Sequence, residues 1–337
     1  MAPFLDDLRE RLPLFQERDK FLRLVRSFFQ RRRFLEVDAP ILVPSAGMEP
    51  HLDPFKVTGT ATGRAAFLPT SPEFYLKKLL AAGSGPCFSL APSFRDEASG
   101  RGHSPEFLML EWYRPHENLG AILKDAEGLL RAAAKAFLPD AKITRNGAAC
   151  DLAAGAERME LGEAFDRFVG RDWRSLRTVD EWRETARRHG AGETEGWSEN
   201  DCFCYLMLAR VEPELARLGR PVALSGYPPF QGALAAERPN EPGVIDRFEL
   251  FAVGVELANA YQELCDGGEQ RRRYEAFQAE RVAMGKAAHP PDEQFFAAVD
   301  ALEPCAGIAL GADRLLSLLL DKPLAAIRHG TRLNGAE

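Results

Sequence analysis

Apolar residues recur at helical spacing across 17–33, ERDKFLRLVRSFFQRRR, where Phe21, Leu24, Val25 and Phe28 share one stripe and predict a helix. The next stretch, 34–40, reads as a strand running into a loop punctuated by Pro40, Pro44 and Pro50. Residues 71–83, SPEFYLKKLLAAG, carry the signals of a capped helix: Ser71 at the N-cap, Pro72 at the first position and Gly83 past the end. Between 86 and 115 the period changes to two. Phe88, Leu90 and Phe94 alternate with Ser89, Ala91, Ser93, Arg95 and Glu97. After the polar loop ASGRGHSP, Phe107, Met109, Glu111 and Tyr113 alternate with Leu108, Leu110 and Trp112. The pattern predicts a hairpin with one apolar face and one face of functional groups.

Further along, 118–137 reads as a helix, and 140–220 as a charged, helical stretch suited to an insertion or lid. A strand is expected at 221–225, ending in the turn Gly226-Tyr-Pro-Pro229. Residues 247–264, RFELFAVGVELANAYQEL, read as one long strand or two linked ones. A helix follows Gly267-Gly268 and stops at Gly285; then comes a strand of small residues, 306–311, opening into a helix at 313–320. Neither a GxxxxGK[ST] loop nor a GxGxxG turn is present, and there is no internal repeat.

Composition narrows the classes. A chain of 337 residues, 45% hydrophobic, can bury a large core. With 43 basic against 50 acidic residues, it lacks the basic excess typical of nucleic-acid binders. The run Arg31-Arg32-Arg33 suits a solvated helix C-terminus. The N-terminus does not read as a signal peptide, and the apolar run 315–320 is too short to cross a bilayer, so a cytoplasmic protein without membrane contact is expected. The six cysteines, Cys87, Cys150, Cys202, Cys204, Cys265 and Cys305, lack the spacing of a zinc site or disulfide framework. Cys202-Phe203-Cys204 would place two thiols on one strand face, and all six read as reduced packing residues.

Three constellations could carry chemistry. The first is the hairpin face with Arg95, Glu97, Phe107, Glu111 and Tyr113, where an arginine can hold a phosphate or carboxylate and a phenylalanine can stack on a base. Without a ligand, the same alternation would describe a solvent-facing sheet. The second is Asn259, Tyr261 and Glu263 on one strand face, near Glu249 and Glu256. Clustered carboxylates repel unless a cation offsets them. Glu249 and Glu256 differ in parity, so a bulge or bend, expected at Gly254, is needed for both to reach one metal. The third is 307–314, Gly-Ile-Ala-Leu-Gly-Ala-Asp-Arg, which lets a ligand approach backbone and sets Arg314 in a first helical turn.

Phe94-Arg95-Asp96-Glu97, His103-Ser104-Pro-Glu-Phe107 and Met109-Leu-Glu111 together resemble motif 2 of class II aminoacyl-tRNA synthetases. Residues 307–314 resemble motif 3, and the stretch closing at Pro40 resembles motif 1, the dimer element. Ser71-Pro72-Glu73, Glu111-Trp-Tyr113 and Glu256-Leu257-Ala-Asn259-Ala-Tyr261-Gln-Glu263 are similar to the lysine branch. The motif 1 helix begins near residue 17, leaving no room for an N-terminal anticodon-binding domain, and Met109-Leu-Glu-Trp-Tyr-Arg-Pro115 resembles the elongation factor P lysyltransferase family.

That resemblance implies an α+β fold of the class II catalytic type, an antiparallel sheet flanked by helices, in a single domain spanning 1–337 with an insertion at about 140–220. It also implies a homodimer that uses ATP and Mg2+ to activate lysine or (R)-β-lysine and transfers it to a lysine of elongation factor P. By the same resemblance Arg95 holds the α-phosphate and the substrate carboxylate, while Asp96 and Glu97 border the adenine and Phe107 stacks on it. His103 and Ser104 lie near the phosphates, Leu257 and Gly311 line the nucleotide, and Arg314 takes the γ-phosphate. Glu249 and Glu256 hold the metal. Glu111 and Glu263 meet the ε-ammonium with Tyr113; Ser71, Pro72, Glu73 and Asn259 surround the other amine; Tyr261 packs on the alkyl chain. Ala309 stands where lysyl-tRNA synthetases generally have glycine, which marks it as a selector of the β-amino acid. Ala260-Tyr261 replaces the more usual Gly-Phe, and Ser104 the usual asparagine. Two rivals follow from the same motifs: a class II asparagine synthetase, which would need a cationic pocket, and a non-catalytic paralogue, which would be expected to lose the motif arginines or metal glutamates.

Overall fold

In the computed structural model, which describes residues 3–61, 63–97 and 103–327, the chain divides into two compact units. One comprises Met1–Pro115, Asp266–Glu303 and Ala309–Glu337, the other His116–Cys265 and Pro304–Ile308.

The first unit opens with helix α1 (Pro3–Gln30), which starts well before residue 17 and runs through Pro13. Short strands β1 (Leu35–Glu36), β2 (Lys56–Val57) and β3 (Ala66–Phe67) precede helix α2 (Glu73–Ala81). The expected hairpin follows as β4 (Cys87–Phe94) and β5 (Glu106–Pro115). They pair antiparallel, with Ser89 opposite Glu111 and Ser93 opposite Phe107, while β1 adds parallel to β4. Facing residues in a ladder share a side, so Phe88 and Trp112 fall on the opposite face. There Phe29 of α1 stacks on Phe88, with ring centroids 4.7 Å apart, and meets Trp112 at 5.1 Å. Burial of that helix stripe, not propensity alone, holds α1 against the sheet.

The second unit begins with α3 (Leu119–Phe137), capped by the Asn118 side chain, which accepts from the Gly120 and Ala121 amides. The stretch read from sequence as helical also carries strands: β6 (Lys142–Arg145), β7 (Ala148–Asp151) and β8 (Glu157–Glu160). At four residues each, they are too short to show a period. Helices α4 (Leu161–Val169), α5 (Val179–Arg188), α6 (Glu199–Leu206) and α7 (Glu212–Leu215) follow. Cys202 and Cys204 lie on α6, so the strand expected there is corrected to a helix; Cys202 is buried and Cys204 exposed. A capping box of Ser198 and Asp201 starts that helix and overrides the short alternation. All six cysteines are free.

Strands β9 (Val222–Tyr227), β10 (Ile245–Ala252) and β11 (Val255–Gln262) complete the ladder of this unit, with β8 parallel to β9 and the other pairs antiparallel. Val253 and Gly254, at φ 46° and 72°, form the two-residue turn between β10 and β11. The sequence 247–264 is thus two linked strands.

Returning to the first unit, α8 (Gly267–Ala283) and α9 (Glu293–Asp300) lead to β12 (Cys305–Gly311), whose residues 305–308 count with the second unit and lie beside β11. Helices α10 (Ala312–Leu320) and α11 (Leu324–Ile327) end the described chain. Phe74 of α2 stacks on Phe295 of α9 at 3.8 Å. At the start of α10, buried Asp313 accepts from the Leu108 amide at 2.8 Å and pairs with Arg18, tying α10 to β5 and α1. Asp313→Ala strands a largely buried guanidinium and an amide, so it is expected to lower unfolding stability by about 3 kcal/mol, read by denaturant titration.

Candidate active site

On the ligand side of the β4–β5 hairpin the alternation places its functional groups in a buried setting, not a wet one. Glu111 is 1% exposed, Ser89 1% and Ser93 0%, which excludes the solvent-facing sheet. Tyr113 Oη donates to Glu111 Oε2 at 3.1 Å, while Oε1 is buried without a hydrogen bond. Burial, and then the neighbouring Glu73 charge, push the Glu111 carboxyl well above the usual range. A buried acid in that state invites a cation.

Glu73 begins α2. Ser71 Oγ accepts from its amide at 3.3 Å, and Pro72 occupies the cap position with no side-chain cap. Its Oε1 lies 2.7 Å from Nζ of Lys77, one turn on, whose side chain is fully buried. Sequence reading missed Lys77, although the i,i+4 spacing was visible. It also missed Glu49, which lies on the cleft that contains Ser71, Pro72 and Glu73.

The Arg95 guanidinium sits 5.1 Å over the Phe107 ring, and its Nε is buried without a hydrogen bond. Asp96 is exposed, its amide donating to the Asp53 carbonyl at 2.6 Å. Glu97 lies 3.2 Å from Nδ1 of the exposed His103, and Ser104 is half-buried. The loop residues 98–102 fall outside the described chain. Ala309, Gly311 and Arg314 belong to this same unit; a Cβ built on Gly311 would meet the Arg314 side chain at 3.3–3.4 Å, so glycine gives that arginine its room.

The second unit holds the other group. Between Leu250 and Phe251 the β10–β11 register shifts: Leu250 faces Ala258, but Phe251 faces Glu256, leaving Leu257 as the extra residue. This bulge puts Glu256 on the face shared by Glu249 and its partner Asn259. The bend expected at Gly254 therefore lies at Leu257, while Gly254 serves the turn. Glu249 is held by two groups that sequence reading overlooked. Tyr227 Oη donates to its Oε2 at 2.8 Å, and Arg247, buried over the Tyr227 ring at 4.2 Å, bonds its Oε1. Arg247 shares its strand parity with Glu249, the one available signal. Burial raises the Glu249 carboxyl above its ordinary value, Arg247 opposes that, and Glu256 adds to it. Asn259 Nδ2 donates to Tyr261 Oη at 3.0 Å, and Asn259 Oδ1 is buried without a hydrogen bond. Glu263 is 4% exposed, its amide donating to the Cys305 carbonyl at 3.0 Å. Two carboxylates on one face suit a magnesium ion, which takes one or two protein carboxylates and leaves other positions to phosphate and water. Among the described residues no group of three potential ligands forms a closed metal site.

The family model of class II tRNA synthetases (D, K and N) matches residues 5–328. The chain belongs to this family. It is 36% identical over 310 residues to the elongation factor P–(R)-β-lysine ligase of Edwardsiella ictaluri, covering 90% of each chain. To the protein of that name from Erwinia tasmaniensis it is 37% identical over 303 residues, covering 88% of this chain and 87% of that one. For Haemophilus influenzae the identity is 35% over 310 residues, 90% of each chain. No helix among the described residues is long and apolar enough to cross a membrane.

The class II frame and the raised Glu111 carboxyl give a pH expectation. A carboxyl raised by folding stabilises below its unfolded value, near 4.5, and that contribution is lost as pH climbs through the folded value. Glu111→Gln, neutral throughout, is therefore expected to gain in Tm relative to the parent protein as pH rises above about 4.5. Thermal melts across pH check this, and a constant difference would contradict it.

Proposed function

We propose that this protein is an ATP-dependent ligase that activates lysine or (R)-β-lysine as the aminoacyl-adenylate and transfers it to a lysine side chain of elongation factor P. The observation that carries the reading is the buried acid at Glu111, set beside Glu73 in a class II frame. Such a pocket favours an alkylammonium and opposes the aspartate side chain of an asparagine synthetase. The names borne by relatives matched over about nine-tenths of the chain agree with it. Arg95, Arg314, Glu249 and Glu256 are all present, which argues against a non-catalytic paralogue.

In the first half-reaction the substrate carboxylate attacks the α-phosphorus of ATP, and pyrophosphate leaves. Arg95 aligns the two reacting groups, Arg314 takes the γ-phosphate, and Phe107 stacks on the adenine beside Asp96 and Glu97. His103 and Ser104 border the phosphates, with Leu257 and Gly311 along the nucleotide. Glu249 and Glu256 would hold magnesium, which neutralises phosphate charge; Tyr227 and Arg247 keep Glu249 oriented for it. Glu111 and Glu263 take the ε-ammonium with Tyr113; Ser71, Pro72, Glu73 and Asn259 receive the other amine; Tyr261 covers the alkyl chain. In the second half-reaction the acceptor amine, deprotonated, attacks the adenylate carbonyl and AMP leaves. Positioning and charge neutralisation supply the rate, with no covalent enzyme intermediate. The setting is cytoplasmic. A homodimer fits the exposed Ile41 and Leu42, at 49% and 55%, just past the motif 1 segment.

The test is ATP–pyrophosphate exchange with L-lysine, (R)-β-lysine, aspartate and no amino acid. Exchange is expected with a lysine isomer; exchange with aspartate alone, or with none, overturns the reading. Mass spectrometry of elongation factor P and tRNA incubated side by side should find the added mass on the protein. Ala309→Gly is expected to change the ratio of kcat/KM for the two isomers by roughly tenfold, the scale of one methyl in a packed pocket. An unchanged ratio would remove Ala309 as a selector.

A further inference from the structure

The cleft beside α2 is lined on one side by Ser45, Ala46, Gly47 and Glu49, on the other by Thr70, Ser71 and Glu73. Its volume is about 30 Å³, room for an ammonium-sized group, since one water needs roughly 10–15 Å³ on this measure. Both walls are fixed. Thr70 Oγ1 donates to the Ala46 carbonyl at 2.8 Å. From α8, Gln278 donates to the Met48 carbonyl at 3.1 Å, and Arg281 to those of Pro50 and Leu52, both at 3.0 Å. A Cβ on Gly47 would meet Thr70 Oγ1 at 3.0 Å and Glu49 Oε2 at 3.1 Å, so glycine keeps the floor open.

The polar groups of this cleft are mismatched without a guest. Ser45 is 5% exposed, and its Oγ is buried with no hydrogen bond. Glu49 receives the Met48 amide at 3.1 Å but has no ion-pair partner among the described residues. Glu73, by contrast, already has Lys77. Burial and the Glu73 charge hold the Glu49 carboxyl above its ordinary value, which Arg95 offsets in part. An acid without an ion pair and a hydroxyl without a partner face one small space, and a primary ammonium, three donors on one centre, answers both.

We propose that Ser45 and Glu49 join Glu73 in receiving the substrate's backbone-side amino group, and that Glu49 sets how far from the carboxylate this amine must lie. The inference rests on the lysine-activating reading above and adds two specificity residues to it. Because Glu73 is matched by Lys77, Glu49 supplies the negative charge that the incoming ammonium needs.

The experiment is ATP–pyrophosphate exchange on the full chain as parent, Glu49→Gln, Glu49→Asp and Ser45→Ala, with (R)-β-lysine and L-lysine. Glu49→Gln is expected to raise KM for the preferred isomer at least about tenfold, with kcat and the KM for ATP little changed and the isomer ratio altered. Glu49→Asp, which keeps the charge on a shorter arm, should recover part of the loss, and Ser45→Ala should raise the same KM by a smaller factor. Melting curves confirm folded variants. Parent activity with unaltered amino-acid KM and isomer ratio in Glu49→Gln overturns this inference alone. A parent inert toward both isomers overturns it together with the lysine-activating reading.

Discussion

A carboxylate taken out of water must find a compensating charge or keep its proton, and Glu111 imposes that condition on everything around it. It projects from the centre of β5, opposite Ser89, with Tyr113 as its hydrogen-bond donor and Glu73 close enough to raise its carboxyl further. Sheet burial that would ordinarily favour an apolar residue is here spent on an acid. The surroundings accommodate the burden locally: Lys77 comes up from α2 to Glu73, and α2 is itself braced by Phe74 on Phe295. Under the proposed function a cationic guest would complete the electrostatics of this pocket.

The second unit solves the related problem with a resident cation. Arg247 is buried and lies over Tyr227 while bonding Glu249. Burial raises the Glu249 carboxyl, the Arg247 guanidinium lowers it, and the Glu256 charge raises it again. The two groups of acids differ in the fixed donors that stand beside them: Tyr113 beside Glu111, Tyr227 and Arg247 beside Glu249.

Much of this was legible in the chain. The period-two alternation of 86–115 became β4 and β5, and α2 formed within 71–83, with Pro72 at the N-cap position expected for Ser71. Residues 247–264 became two strands with Gly254 in the turn. What escaped has physical reasons. Glu49 lies in an irregular segment where no periodicity marks a face, and its place is set by α8, more than two hundred residues away. Lys77 carries no sequence mark of its burial, which only the tertiary fold imposes. The helix carrying Cys202 and Cys204 was hidden by a three-residue alternation that a capping box outweighs. Strands β6 to β8 are too short for any pattern to rise above the charged background.

The extra residue at Leu257 also governs which chain lengths the β10–β11 hairpin can accept. Because it reverses inward and outward beyond that point, Glu256 can look the same way as Asn259 although their numbers differ by three. Losing or gaining one amino acid between 256 and 259 would rotate one of these side chains to the far side of the sheet, whereas a two-residue insertion would leave both facing as they do. The bulge thus fixes the spacing between Glu256 and Asn259, while the turn at Val253 and Gly254 is free of that constraint.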